Sequence, residues 1–163
     1  MPETELHIRR CRRTDFTAVM HLLATSDSPA PVPERRTLRR FRGIVNDLGS
    51  DLYVALVAGE MVALVYVTYA RQLAASPRAR IDRLFVDERF RRRGIGAALV
   101  GLARERAIRR GCGTLECSVP PRSALAAGFL ERFGLRPEGQ IFVAELDPDS
   151  APPSRGSESG DRS

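Results

Sequence analysis

The sequence of 163 residues contains no lysine and no tryptophan. It also has no apolar run near the roughly 18 residues that a membrane-spanning helix needs. Its first ten residues, MPETELHIRR, carry two acidic residues and no apolar stretch of the kind found in a secretory signal. We therefore expect no membrane partner and a cytoplasmic location.

The absence of lysine also changes how the charge is interpreted. All 26 basic residues are arginine, and the formal net charge is +6. Such a charge usually suggests nucleic acid as a partner. A surface that follows phosphates gains nothing from excluding lysine, so the bias indicates genomic composition rather than function. We therefore do not expect nucleic acid as a partner, although the positive field would attract an anionic ligand.

Cysteine and histidine are too few and too poorly spaced for a metal site. Cys11, Cys112 and Cys117 match neither a disulfide framework nor a zinc spacing, so we expect reduced thiols. His7 and His21 have no second ligand at metal spacing. No metal is expected.

The apolar pattern predicts one domain of the α/β class, an α+β mixed sheet with helices on both faces. Its predicted element order is β-α-α-β-β-β-α-β-α-β, and its last strand is GQIFVAEL at 139–146. Two near-continuous apolar runs joined at Gly59 and Glu60 predict a hairpin that is buried on both faces. The domain is therefore expected to span 1–146. The remainder, 147–163, consists mainly of proline, serine, glycine and charged residues and is predicted to be a disordered tail.

The stretch VDERFRRRGIGAAL, residues 86–99, joins the fourth predicted strand to a predicted helix. The first amides of a helix lack internal partners, and the helix dipole adds positive potential there. Gly94 and Gly96 would let an anion approach the backbone. The turn alone fits a phosphate site and a basic turn with solvated arginines about equally. A Walker loop is excluded because it needs lysine, and a dinucleotide fingerprint needs a third glycine.

LFVDERFRRRGIGAALV resembles the acyl-CoA-binding signature of the GNAT superfamily of N-acetyltransferases. That signature follows an apolar strand with Gln or Arg, two residues, Gly, one residue, and Gly or Ala; here Arg91, Gly94 and Gly96 fill these positions. The predicted element order matches the family's fold over about residues 5–146. The resemblance implies transfer of an acetyl group from acetyl-CoA, by direct attack in a ternary complex, to a primary amine of a small molecule or protein. It implies that these residues bind acetyl-CoA: Leu84, Phe85, Val86, Arg91, Arg92, Arg93, Gly94, Ile95, Gly96 and Ala97.

This chain departs from the family pattern at the position of the general acid. Many family members carry a tyrosine in the last helix, whereas SALAAGFLERFGL has Leu130 at that place, and leucine cannot donate a proton. Ser118 is the candidate acid, and Cys117, Tyr66 and Tyr69 are further candidates. The thiolate could also leave without help from the protein, because thiols are acidic enough. A non-catalytic acyl-CoA-binding regulatory module is the alternative function.

Asp82 is the candidate general base, because it lies on the fourth strand just before the bulge that the resemblance implies. A surface salt bridge of Asp82 with Arg80 or Arg83 would explain this carboxylate equally well. Glu116 and Glu131 are weaker candidates.

The sequence does not identify the acceptor. In this family the acceptor site is usually shaped by two regions, which here are SDSPAPVPERR at 26–36 and YARQLAASPRAR at 69–80. Both carry arginines, which suggests an acceptor with its own carboxylate or phosphate, whereas a solvated helix face is the better-supported interpretation of Arg35 to Arg42. The oligomeric state also stays open, with a homodimer among the states allowed.

Overall fold

The computed structural model describes residues 5–25, 34–119, 124–139, 141, 143, 144 and 146. In order, its strands and helices are β1 Leu6–Arg10, α1 Phe16–Ala24, α2 Glu34–Asn46, β2 Ser50–Val57, β3 Glu60–Ala70, β4 Arg78–Val86, α3 Ile95–Arg109, β5 Thr114–Cys117 and α4 Ala124–Glu131. This order confirms the predicted mixed class and follows the predicted succession as far as α4. None of the helices described is long and apolar enough to cross a membrane.

The five strands form one sheet in the order β1-β2-β3-β4-β5. Neighbouring strands are antiparallel except β4 and β5, which are parallel. The β2–β3 hairpin turns at Ala58 and Gly59, both with positive φ, as a two-residue turn of the primed type requires. The hairpin predicted from the two apolar runs is therefore confirmed.

Both faces of the sheet are covered, which explains why β2 and β3 are apolar at nearly every position. Val65 and Ala55 belong to a core with α3, and half-buried Phe129 and Phe133 extend that core. On the opposite face, α1 and α2 cover Val54 in a second core. The site residues of β4 therefore lie in a sheet that is fixed from both sides.

Asp51 of β2 is a fully buried carboxylate that lies at the edge of the core between the sheet and α3. Its oxygens lie 2.9 Å from Arg10, 3.4 Å from Arg106 and 3.4 Å from Arg110. The hydroxyl of Tyr69 donates to it at 2.8 Å. A charge at this depth is tolerated because four donors satisfy it. The contacts join β1, β2, β3 and the C-terminal end of α3.

The last predicted strand is not formed by the described residues of 139–146. Ile141, Val143 and Leu146 lie outside any strand, and 68%, 83% and 86% of their surfaces are exposed. The apolar run at 141–144 is compatible with a strand but does not supply the paired backbone that a strand also needs. Residues 140, 142 and 145 and the predicted tail, 147–163, lie outside the described part of the chain.

Candidate functional site

The turn between β4 and α3 is held at its start by a buried carboxylate. Asp87 accepts a hydrogen bond from the amide of Arg89 at 2.9 Å and pairs with the Arg89 guanidinium at 2.9 Å. These contacts hold the pKa of Asp87 below its ordinary value, with the side-chain hydrogen bond from Arg89 as the largest cause. The amide of Asp87 donates to the carbonyl of Val62 at 2.8 Å. The chain therefore leaves the sheet in a fixed direction.

The start of α3 presents free backbone amides. Gly94 adopts a left-handed conformation with φ +78°, and a Cβ there would meet nothing within 4 Å. The first hydrogen bond at this end of the helix runs from the amide of Ala98 to the carbonyl of Gly94, at 2.9 Å. The amides of residues 95 to 97 precede it and have no carbonyl partner in the helix. With the positive end of the helix dipole, these amides offer the donors and the positive potential that anions favour.

The two glycines of the turn serve different purposes. A Cβ on Gly96 would lie 3.3 Å from Cζ of Phe129 and 3.8 Å from Cγ2 of Val86. The missing side chain at this position therefore makes room for α4 rather than for an anion. Only Gly94 matches the expectation that glycine leaves the backbone open to a ligand.

The three arginines of the turn also differ. Arg91 donates to the carbonyl of Val86 at 3.2 Å, and the Arg93 guanidinium lies 5.2 Å from the ring centre of Phe90. Arg92 has no hydrogen bond or ion pair with any described residue, and its φ of +61° is uncommon for a residue with a side chain. Arg92 is therefore the member of the three that is free to reach a ligand.

A β-bulge lies at the position predicted for the base. Tyr66 of β3 pairs with Arg83, and the next residue, Val67, pairs with Ile81, so Asp82 is the extra residue of β4. A bulge places two successive side chains toward the same face and bends the strand. Sequence reasoning placed the bulge after Asp82, whereas the structure places it at Asp82.

Beyond the bulge, β4 separates from β5. The two strands pair only over residues 78–81 of β4. In the described part of the chain, residues 83–86 pair with β3 alone and the bulge residue Asp82 pairs with neither strand, so this part of β4 has no strand partner on the β5 side. Of its backbone groups, the carbonyl of Val86 already accepts a hydrogen bond from Arg91. Leu84 and Val86 pack toward α3 and Phe85 toward α1 and α2. The open backbone edge leads directly to the turn.

Arg80 contacts both the candidate acid and the candidate base, although the sequence suggested it only as a salt-bridge partner of Asp82. Arg80 lies between them: its Nε is 3.1 Å from Oδ1 of Asp82, and its Nη2 donates to Oγ of Ser118 at 2.7 Å. The hydroxyl of Thr68 donates to Oδ2 of Asp82. Arg80 and Asp82 flank the residue where β4 and β5 separate. Sequence spacing could not show this link, because Ser118 follows Arg80 by 38 positions.

The three other candidate acids have different roles. Tyr69 is not available, because its hydroxyl donates to buried Asp51 and burial raises its pKa. Tyr66 packs half-buried in the core beneath α1 and α2. Cys117 is half-buried beside the opening, where burial raises the pKa of its thiol and keeps it protonated at neutral pH.

The remaining carboxylates and the substituted acid position are less suited to catalysis. Glu116 forms an exposed ion pair with Arg78 at 3.7 Å, and Glu131 is exposed at the end of α4. The side chain of Leu130 is buried, with 7% of its surface exposed. The position that carries a tyrosine in many acetyltransferases is therefore a packing position here.

The fold and the site together are those of a mixed α/β protein in which an open strand edge lies beside a helix start with free amides. The sequence model of the acetyltransferase (GNAT) family matches residues 16–135. The chain belongs to this family.

Solved structures show the same fold. A transcriptional regulator from Bacillus halodurans is 27% identical with a TM-score of 0.77, over 87% of this chain and all of that one. Glucosamine-6-phosphate N-acetyltransferase from Arabidopsis thaliana is 19% identical with a TM-score of 0.75, over 88% and 99%. AAC(6')-Iy, in complex with the bisubstrate analog CoA-S-monomethyl-acetylneamine, is 15% identical with a TM-score of 0.76, over 88% and 99%.

Proposed function

We propose that the protein is an acetyl-CoA-dependent N-acetyltransferase that acts on a primary amine of a small molecule or protein by direct attack in a ternary complex. One observation carries the proposal: the free amides of residues 95 to 97 continue the open backbone edge of residues 82–86. A single ligand with an anionic group and an extended amide-bearing arm can use both. Membership of the acetyltransferase family supports the same conclusion.

The described residues fit acetyl-CoA. The amides at the start of α3 and the guanidinium of Arg92 offer donors and positive charge to a diphosphate. Leu84, Phe85 and Val86 form the strand segment proposed to meet the extended arm, and the carbonyl of Val86 in this segment is already held by Arg91 at 3.2 Å. When bound, acetyl-CoA supplies the thioester whose acetyl group is transferred.

Proton transfer is assigned to the cluster at the strand opening. The carboxylate of Asp82 accepts the proton of the acceptor amine, directly or through water. The hydroxyl of Ser118 accepts a hydrogen bond from Arg80, so its own proton is free to be donated to the departing thiolate. CoA then leaves as the thiol, and Ser118 regains a proton from water. Arg80 positions both groups through its two contacts.

A non-catalytic acyl-CoA-binding module is the second candidate, because the usual acid position holds Leu130, which is buried. Two measurements on the full chain separate the candidates. Calorimetric titration with acetyl-CoA detects binding, and thiol release across a panel of amines and peptides detects transfer. An enzyme gives both signals, whereas a module gives binding only. Absence of binding would exclude both functions.

Ser118→Ala and Asp82→Asn test the assigned groups. We expect each variant to lower kcat by at least tenfold with little change in the affinity for acetyl-CoA, because neither side chain lies in the turn that binds the phosphates. Thr14→Ala, at an exposed position before α1, is the control and should retain full kcat. Unchanged kcat in both active-site variants would refute the assignment but leave the binding proposal intact.

A further inference from the structure

α2 has two contrasting faces. Phe41 is buried in the core beneath the helix, and Leu38, Ile44 and Val45 are partly buried on the same side. At 100° per residue, the opposite side of the helix covers a sector of about 160°. Every charged residue in this sector is an arginine. This arginine face consists of five exposed residues: Arg35, Arg36, Arg39, Arg40 and Arg42.

The arginines of α3 show that an arginine-rich composition does not by itself leave guanidiniums unpaired. Arg106 and Arg110 pair with Asp51, and Arg109 pairs with Glu105 at 2.6 Å. On the arginine face, by contrast, no guanidinium makes a hydrogen bond, ion pair or ring contact with a described residue. Genomic bias explains the choice of arginine over lysine, but it does not explain five arginines on one helix face that have no partner among the described residues.

This arrangement works against the helix itself. Arg35 and Arg39 are four positions apart, as are Arg36 and Arg40, and like charges at this spacing destabilise a helix. Glu34 is the single acidic residue of α2, and it stands at the first position. An anionic partner would remove the repulsion and gain charge-assisted hydrogen bonds.

We propose that the arginine face binds the phosphate backbone of nucleic acid, without reading its sequence. Guanidinium forks match phosphate groups, and a helix of this length extends about 20 Å along a surface. Phosphate contacts alone can supply non-specific affinity. Protein interfaces, by contrast, usually have an apolar core, and no large apolar side chain of α2 is exposed.

This inference does not require acetyl transfer, and it reverses the expectation drawn from composition. Composition attributes the positive charge to genomic bias. The structure shows five exposed arginines on one outward face with no partner among the described residues, so that they can contact neighbouring phosphates together.

The test measures binding of the full chain to a 20-base-pair mixed-sequence DNA duplex by fluorescence anisotropy between 50 and 200 mM salt. The first variant is Arg35→Gln with Arg39→Gln, since glutamine keeps the helix propensity. The matched control is Arg71→Gln with Arg136→Gln, two exposed arginines outside α2. Both double variants remove the same charge, and thermal unfolding by circular dichroism verifies that both are folded.

We expect the α2 variant to bind at least tenfold more weakly at 100 mM salt, with a salt slope reduced by about 1.8 for two lost phosphate contacts. The control should stay within about twofold of the wild type. Equal losses in both variants would overturn the proposal, because they would show a response to net charge alone. Binding to polyglutamate but not to DNA would overturn it in favour of an acidic protein partner, and no binding at 50 mM salt would also overturn it.

Discussion

Replacing Gly94 with aspartate or asparagine separates charge from backbone conformation at the proposed anion site. Both residues tolerate a left-handed conformation better than other residues with side chains, and both have nearly the same shape. The space around a Cβ at this position is open. The pair therefore differs mainly by one negative charge beside the amides of residues 95 to 97.

Coulomb's law gives the expected size of the difference. Two unit charges about 6 Å apart repel by about 0.7 kcal/mol in water and by about 2.8 kcal/mol at an effective dielectric constant of 20. These energies correspond to about 3-fold and about 100-fold in affinity. Because a diphosphate carries more than one charge, we expect the upper half of this range for Gly94→Asp relative to Gly94→Asn.

The assay is calorimetric titration with acetyl-CoA at low and at physiological salt. The difference between the two variants should shrink as salt rises, because the charges are exposed and screened. Equal affinities in two folded variants would refute the assignment of the phosphates to this turn.

Three further predictions concern stability, each measured by urea unfolding. Gly96→Val should lower the free energy of unfolding by about 1–3 kcal/mol, because the ring of Phe129 must move. Adding Phe129→Leu to the same chain should recover part of the lost stability. If no stability is recovered, the contact with Phe129 is not the cause. Asp51→Asn should cost about 3–5 kcal/mol, because it breaks a buried ion cluster, and a loss under 1 kcal/mol would show that the cluster is dispensable. The hydrogen bond from Arg9 holds the pKa of Asp15 below its ordinary value. The stability that Asp15→Asn removes should therefore be present at pH 7 and be lost progressively as the pH falls below about 4 and through the lowered folded-state pKa; a difference that does not shrink as the pH falls below about 4 would contradict it.

The sequence predicted the parts of the fold that depend on local pattern. The apolar runs and the residues Gly59 and Glu60 were enough to predict the β2–β3 hairpin, because a two-residue turn and two-sided burial both leave local signals. The last strand was predicted in the same way, yet the described residues there form none. Strand pairing depends on a partner distant in sequence, and an apolar pattern carries no information about it.

In the candidate site, too, the features set by local sequence were predicted, whereas those that depend on distant residues were not. A strand followed by Arg91, Gly94 and Gly96 predicted the free amides, because helix starts have the same physics wherever they occur. The separate purpose of Gly96 depends on Phe129, which approaches from another helix. The role of Arg80 in linking the candidate acid and base depends on where two parallel strands separate. Neither relation leaves a trace in local spacing.

The amide shifts of the labelled protein on addition of CoA test the central claim most directly. Two-dimensional ¹H–¹⁵N spectra report each backbone amide separately, so they locate the ligand without relying on activity. The account predicts the largest shifts at residues 92–97 and along residues 82–86, with small shifts on α2. Shifts that are largest elsewhere, or that are absent at saturating CoA, would contradict it.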